Sequence, residues 1–165
     1  MKSFFTIGIV GLVLVFALWV VGERTVVTVD TSTRSTGNLE GTVLNMSNQG
    51  LTKVAPALFE RTDIVELDLS HNALQGALPS QINRLQNLKV LNLSYNQFTG
   101  VPAEVGQLKN LEMLNLSYNK LTGLPLELGN LSKLKMLDVS GNAYAEQDLE
   151  AIRKNLPSTT VIKIN

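Results

Sequence analysis

The chain has 165 residues, with fourteen basic and fourteen acidic side chains in balance, one histidine and no cysteine. With zero net charge, nothing suggests a nucleic-acid surface, which would need a basic patch. The missing cysteines exclude disulfide caps and a lipid-modified cysteine.

After a short flank at residues 1–3, Phe4 to Gly22 is an apolar run of 19 residues, interrupted only by Thr6 and small glycines. As a helix it would measure about 28 Å, close to the hydrocarbon thickness of a bilayer. Lys2 precedes it, while Glu23 and Arg24 follow, so the amino end is the positive one and the remainder is expected outside the cytoplasm. Trp19 would stand at the outer interface. A cleaved signal peptide has an apolar core of about 7–15 residues and small residues before the cut. This run is longer, and Val20-Val21-Gly22 is a poor cleavage site. A retained transmembrane anchor over 4–22 is the expectation, with signal cleavage and secretion as the alternative. A buried core helix is disfavoured because the run has no polar face.

Residues 23–40 come next as a linker and N-terminal cap. Seven of the twelve residues from Thr25 to Thr36 are Ser or Thr, which reads as an exposed spacer, with some strand at Thr25–Val29. The rest of the chain, residues 41–165, is long enough for one domain with its own core.

In this region one pattern is written four times: Ile64-x-x-Leu67-x-Leu69-x-x-Asn72-x-Leu74, and again from Leu88, Leu111 and Leu134. Its fourth position falls at Leu67, Leu91, Leu114 and Leu137, spaced by 24, 23 and 23 residues, and a degenerate copy at Leu44 has Gln49 where Asn belongs. Self-similarity at this period means a solenoid whose repeats each give one strand to a parallel sheet. Leu67 and Leu69 alternate with Glu66, Asp68 and Ser70, as a strand with one buried face requires. Asn72, Asn96, Asn119 and Asn142 can donate and accept at once, so a ladder of carboxamides is expected to serve the backbone of neighbouring turns. Gly76, Gly100 and Gly123 are expected to take conformations that side chains resist. Pro56, Pro79, Pro102 and Pro125 recur every 23 residues and suit the first position of short helical turns on the convex side. Ile82 and Leu85, Val105 and Leu108, and Leu128 and Leu131 would point inward. At the C-terminal end, about 145–165, Ala145, Leu149, Ile152 and Leu156 have helical spacing before Pro157, and Val161, Ile162 and Ile164 offer a closing strand.

On these motifs the segment from about Leu44 to Asn165 resembles the leucine-rich repeat family. The stretches Leu74-Gln-Gly-Ala-Leu-Pro79, Phe98-Thr-Gly-Val-Pro102 and Leu121-Thr-Gly-Leu-Pro125 are similar to the 23–24-residue subclasses of plants and bacteria. The resemblance implies an α/β solenoid with its parallel sheet on the concave face, and a role in protein–protein contact. Cysteine-paired caps, common in plant and animal extracellular members, are absent, which favours a bacterial exported protein by analogy.

The outward strand positions define that concave face. One column is Val43, Glu66, Val90, Met113 and Met136; the next is Asn45, Asp68, Asn92, Asn115 and Asp138. Ser47, Ser70, Ser94, Ser117 and Ser140 are expected as a third outward column, with Asn48, His71, Tyr95, Tyr118 and Gly141 at the strand ends. Asp68, Val90, Asn92, Tyr95, Met113, Asn115, Tyr118, Met136 and Asp138 are the candidate partner-binding residues. Exposed methionine and tyrosine supply adaptable apolar contact with polar handles, although Ser-Tyr-Asn could equally recur by duplication of the repeat.

No catalytic residue, cofactor or metal site is expected. His71 lies near Asp68 and Ser70, but a strand sends those two to one face and no oxyanion motif accompanies them. Glu66 and Asp68 fall short of the ligands calcium needs. Asn45, Asn92, Asn115 and Asn130 begin N-x-Ser sequons, three of them by-products of the repeat. The reading is a membrane-anchored, extracytoplasmic module for a protein partner. A cell-envelope glycan binder, with sugars stacked on the tyrosines, and a purely structural spacer are the alternatives.

Overall fold

The computed structural model describes residues 41–164, together with the backbone of Val15–Phe16 (β1) and Val27–Thr28 (β2), which pair antiparallel. The expected anchor at 4–22 and the linker and cap at 23–40 otherwise lie outside the described residues. The described part of the 4–22 run, Val15–Phe16, is extended rather than helical. Among the described residues no helix is long and apolar enough to cross a membrane.

Six strands, β3 (Thr42–Asn45), β4 (Ile64–Asp68), β6 (Val90–Asn92), β8 (Met113–Asn115), β9 (Met136–Asp138) and β10 (Val161–Lys163), form one parallel sheet. They lie side by side in chain order, each one coil of the solenoid further on. Leu44, Leu67, Leu91, Leu114 and Leu137 stand in register and end beside Ile162, so the inward positions stack as one layer. The degenerate copy around Leu44 thus supplies the first strand. Beyond the sheet, β5 (Gln75–Ala77) and β7 (Gln97–Gly100) form a short second parallel pair.

The convex side carries 3-10 turns at Pro56–Glu60, Ser80–Arg84, Ala103–Gln107 and Leu126–Asn130. Only Pro56 is the first residue of its turn. Pro79, Pro102 and Pro125 precede theirs in extended conformation, and their carbonyls accept the first i+3 bonds from Ile82, Val105 and Leu128. A ring-locked φ serves this entry as well as a helical one. Ile82, Leu85, Val105, Leu108, Leu128 and Leu131 are all fully buried, as the spacing predicts.

The asparagine ladder is present. Asn96 is buried; the Leu74 N–H donates to its Oδ1, while its amide group faces the carbonyls of Leu69, Leu93 and Ser94. Asn72, Asn119 and Asn142 repeat the arrangement one coil apart. Each therefore ties its own turn to the preceding coil. At the C-terminal end α1 (Glu146–Arg153) buries Leu149 and Ile152, and β10 then joins β9.

The glycine expectation needs correction. Gly76 has a positive φ of 78°, but Gly100 and Gly123 do not. The recurrent left-handed position is instead the residue before the ladder asparagine, or before Gln49 in the degenerate copy: Asn48, His71, Tyr95 and Tyr118 have φ of 57°, 54°, 53° and 52°, and Gly141 has 66°. That is where the chain leaves the strand. The N–H groups of His71, Tyr95 and Tyr118 still donate to the carbonyls of Ser94, Ser117 and Ser140 in the next coil.

Candidate functional site: the concave sheet

The two outward columns lie in the expected register. Val43, Glu66, Val90, Met113 and Met136 are cross-strand neighbours, as are Asn45, Asp68, Asn92, Asn115 and Asp138. Met113 is 36% exposed, with Val90 and Met136 half-buried beside it. β10 lengthens both columns: Val161 pairs with Met136 and is 58% exposed, and Lys163 pairs with Asp138. Sequence reasoning placed Val161 in the closing strand but not on this face. The cap helix stretches the spacing to 25 residues between Met136 and Val161, which breaks the count that reveals the other members.

The serine column is not outward. Ser70, Ser94, Ser117 and Ser140 are buried. Oδ1 of Asn92 accepts both the N–H and the hydroxyl of Ser94, and Asn115 and Asp138 do the same for Ser117 and Ser140. These bonds two residues apart close the turn that carries the chain off the strand. The amide column is therefore partly committed to the fold. Asp68 is also engaged, accepting from the Ser70 N–H and from the Asn92 amide. Asp68, Asn92, Asn115 and Asp138 keep an exposed edge but have less free hydrogen-bonding capacity than an outward column suggests.

Beyond the serines stands an aromatic stack. His71 and Tyr95 have centroids 4.3 Å apart with planes 10° from parallel; for Tyr95 and Tyr118 the values are 4.5 Å and 12°. Tyr95 is 46% and Tyr118 49% exposed, yet both faces of Tyr95 are covered, and Tyr118 rests between Tyr95 and the backbone at Gly141. The stack shows ring edges and hydroxyls to solvent. Sugar stacking, which needs an open face, is unavailable at Tyr95. His71 is committed to this stack, and Asp68 to the Ser70 backbone, so no relay joins the three. Among the described residues no group of three His, Cys, Asp or Glu could hold a metal ion.

The repeat geometry has a family counterpart. The family model described as Leucine rich repeat matches residues 42–98 and 86–143, more than half of the chain. The chain belongs to the leucine-rich repeat family. Solved structures share the fold. The ectodomain of the receptor kinase SOBIR1 from Arabidopsis thaliana is 29% identical with a TM-score of 0.61, covering 82% of this chain and 76% of that one. A leucine-rich repeat protein of Leptospira interrogans is 30% identical with a TM-score of 0.56, covering 69% of this chain; the chain spans 34% of that protein's length. The plant peptide hormone receptor RGFR1, solved in complex with RGF2, is 34% identical with a TM-score of 0.56, covering 67% of this chain and 18% of that one. No curated protein sequence matches the chain.

Proposed function

We propose that this leucine-rich repeat chain is an exported recognition module, held at a membrane, that binds a protein partner across its concave sheet. The observation that carries this reading is the run Val90, Met113, Met136 and Val161, apolar side chains set outward by four adjacent strands. Fold stability does not call for apolar groups on this face, whereas a partner does, and methionine adapts to varied contact shapes. The likeness to a plant peptide hormone receptor supports a peptide or an extended loop as the bound element. Likeness to a receptor kinase ectodomain supports an extracytoplasmic place for the repeats, and the apolar run at residues 4–22 supports anchoring. No enzymatic role, cofactor or nucleic-acid partner is part of the proposal.

The deciding experiment is capture from envelope extract by the wild-type chain beside a Met113→Glu/Met136→Glu variant. Both side chains lie on the outward face of the sheet rather than in the core, so the variant is expected to fold like the wild type. A protein retained only by the wild type supports the reading. Equal retention by both moves binding to another face, and retention of nothing favours the spacer role. Anchoring is checked separately: the full chain should sediment with membranes, and a chain lacking residues 4–22 should not.

A further inference from the structure

The concave face is electrically lopsided. Its carboxylates are Glu66 and Asp68 on β4 and Asp138 on β9, and Lys163 stands in register beside Asp138. The C-terminal end is therefore balanced, while the β4 end carries two carboxylates on one face and no neighbouring lysine or arginine in the columns. Two arginines of the first coils are engaged elsewhere, Arg61 with Asp63 and Arg84 with Glu60. Asp68 has its two partners, but Glu66 has no ion pair or hydrogen bond among the described residues. In its column Glu66 stands between Val43 and Val90, and the column continues from there through Met113 and Met136 to Val161.

Resting on the recognition reading above, we infer that the occupant is an extended polypeptide segment with a lysine or arginine over Glu66 and apolar side chains continuing toward Val161. Charge complementarity sets the direction: a cation over β4 meets the Glu66 carboxylate, which has no partner among the described residues and is reinforced by Asp68, and an anion there meets repulsion. The apolar column then receives the segment's apolar side chains. From β4 to β10 there are four strand spacings of about 4.8 Å, roughly 19 Å in all, which an extended chain crosses in about six residues. The stacked ridge of His71, Tyr95 and Tyr118, closed to intercalation, bounds the track on one side.

The test is selection of phage-displayed random dodecapeptides on the full chain and on its Glu66→Lys variant, then affinity measurement with the best synthetic peptide. Wild type should enrich a lysine or arginine with apolar residues after it, and Glu66→Lys should lose that preference in favour of aspartate or glutamate. The wild-type peptide should bind on the order of tenfold more weakly to Glu66→Lys and also lose affinity for Met113→Glu. A peptide that loses affinity for Met113→Glu but not for Glu66→Lys overturns the charge assignment and leaves concave-face recognition standing. Binding indifferent to both substitutions, or no enrichment at all, overturns both. Thermal melting of each variant separates these outcomes from misfolding.

Discussion

The ring of Tyr118 rests against Gly141, so closely that a Cβ on the glycine would fall 2.7 Å from Tyr118 Cδ1. Gly141 also has a φ of 66°, which an L side chain adopts at a cost. This glycine is the floor of the aromatic stack. Gly141→Ala is expected to push Tyr118 aside, loosen Tyr95 and His71 in turn, and lower stability by about 1–3 kcal/mol. Denaturant unfolding with tyrosine near-UV circular dichroism checks this; an unchanged midpoint and spectrum would contradict the packing.

Asn96→Ala should be among the most damaging substitutions in the domain. It removes the acceptor for the Leu74 N–H and the donor to the Leu69, Leu93 and Ser94 carbonyls, within a buried site. Unsatisfied buried backbone groups cost about 1–3 kcal/mol each. A loss of at least about 3 kcal/mol is expected, and Asn142→Ala, at a half-buried position, should lose less. Thermal melts of the two variants side by side give the ranking.

On the convex side, a Cβ at Gly106 would lie 2.1 Å from the carbonyl oxygen of Glu127, which is backbone and cannot swing away. Gly106→Ala must separate two neighbouring 3-10 turns and should cost about 2–3 kcal/mol. Gly76→Ala meets open space and bears only the strain of φ 78°, so about 1 kcal/mol is expected. Equal costs for the two, measured by denaturant unfolding, would contradict the tight approach of the turns.

Asp63 gives the first coils a modest pH dependence. Its hydrogen bond from Arg61, then that from Thr42, holds the carboxyl well below the usual carboxylate range. A depressed folded value means the stabilisation is complete above the unfolded value of about 3.9 and is lost as pH falls through the folded one. Asp63 is half exposed, so solvent screening keeps the effect small. Asp63→Asn should therefore reduce stability slightly at neutral pH and leave a shallower acid slope below about pH 4. Melting temperatures across that range, for both proteins, test it.

The translational part of the structure was legible in the chain alone. Leu67, Leu91, Leu114 and Leu137 recur at the repeat period, and alternation within each strand names the inward side. Burial of the core, the register of Glu66 with Val90 and Met113, and the roles of Asn72, Asn96, Asn119 and Asn142 come from those two periods. Three features depended on how one coil meets the next. Ser94 and Ser117 turn inward because Asn92 and Asn115 capture their hydroxyls. Tyr95 and Tyr118 lose their open faces because adjacent coils bring left-handed residues to stacking distance. Val161 joins the concave column because α1 delivers β10 into register with Met136. Repeat periodicity fixes which positions are equivalent, but it carries no information about how side chains occupy one another's hydrogen bonds and ring faces.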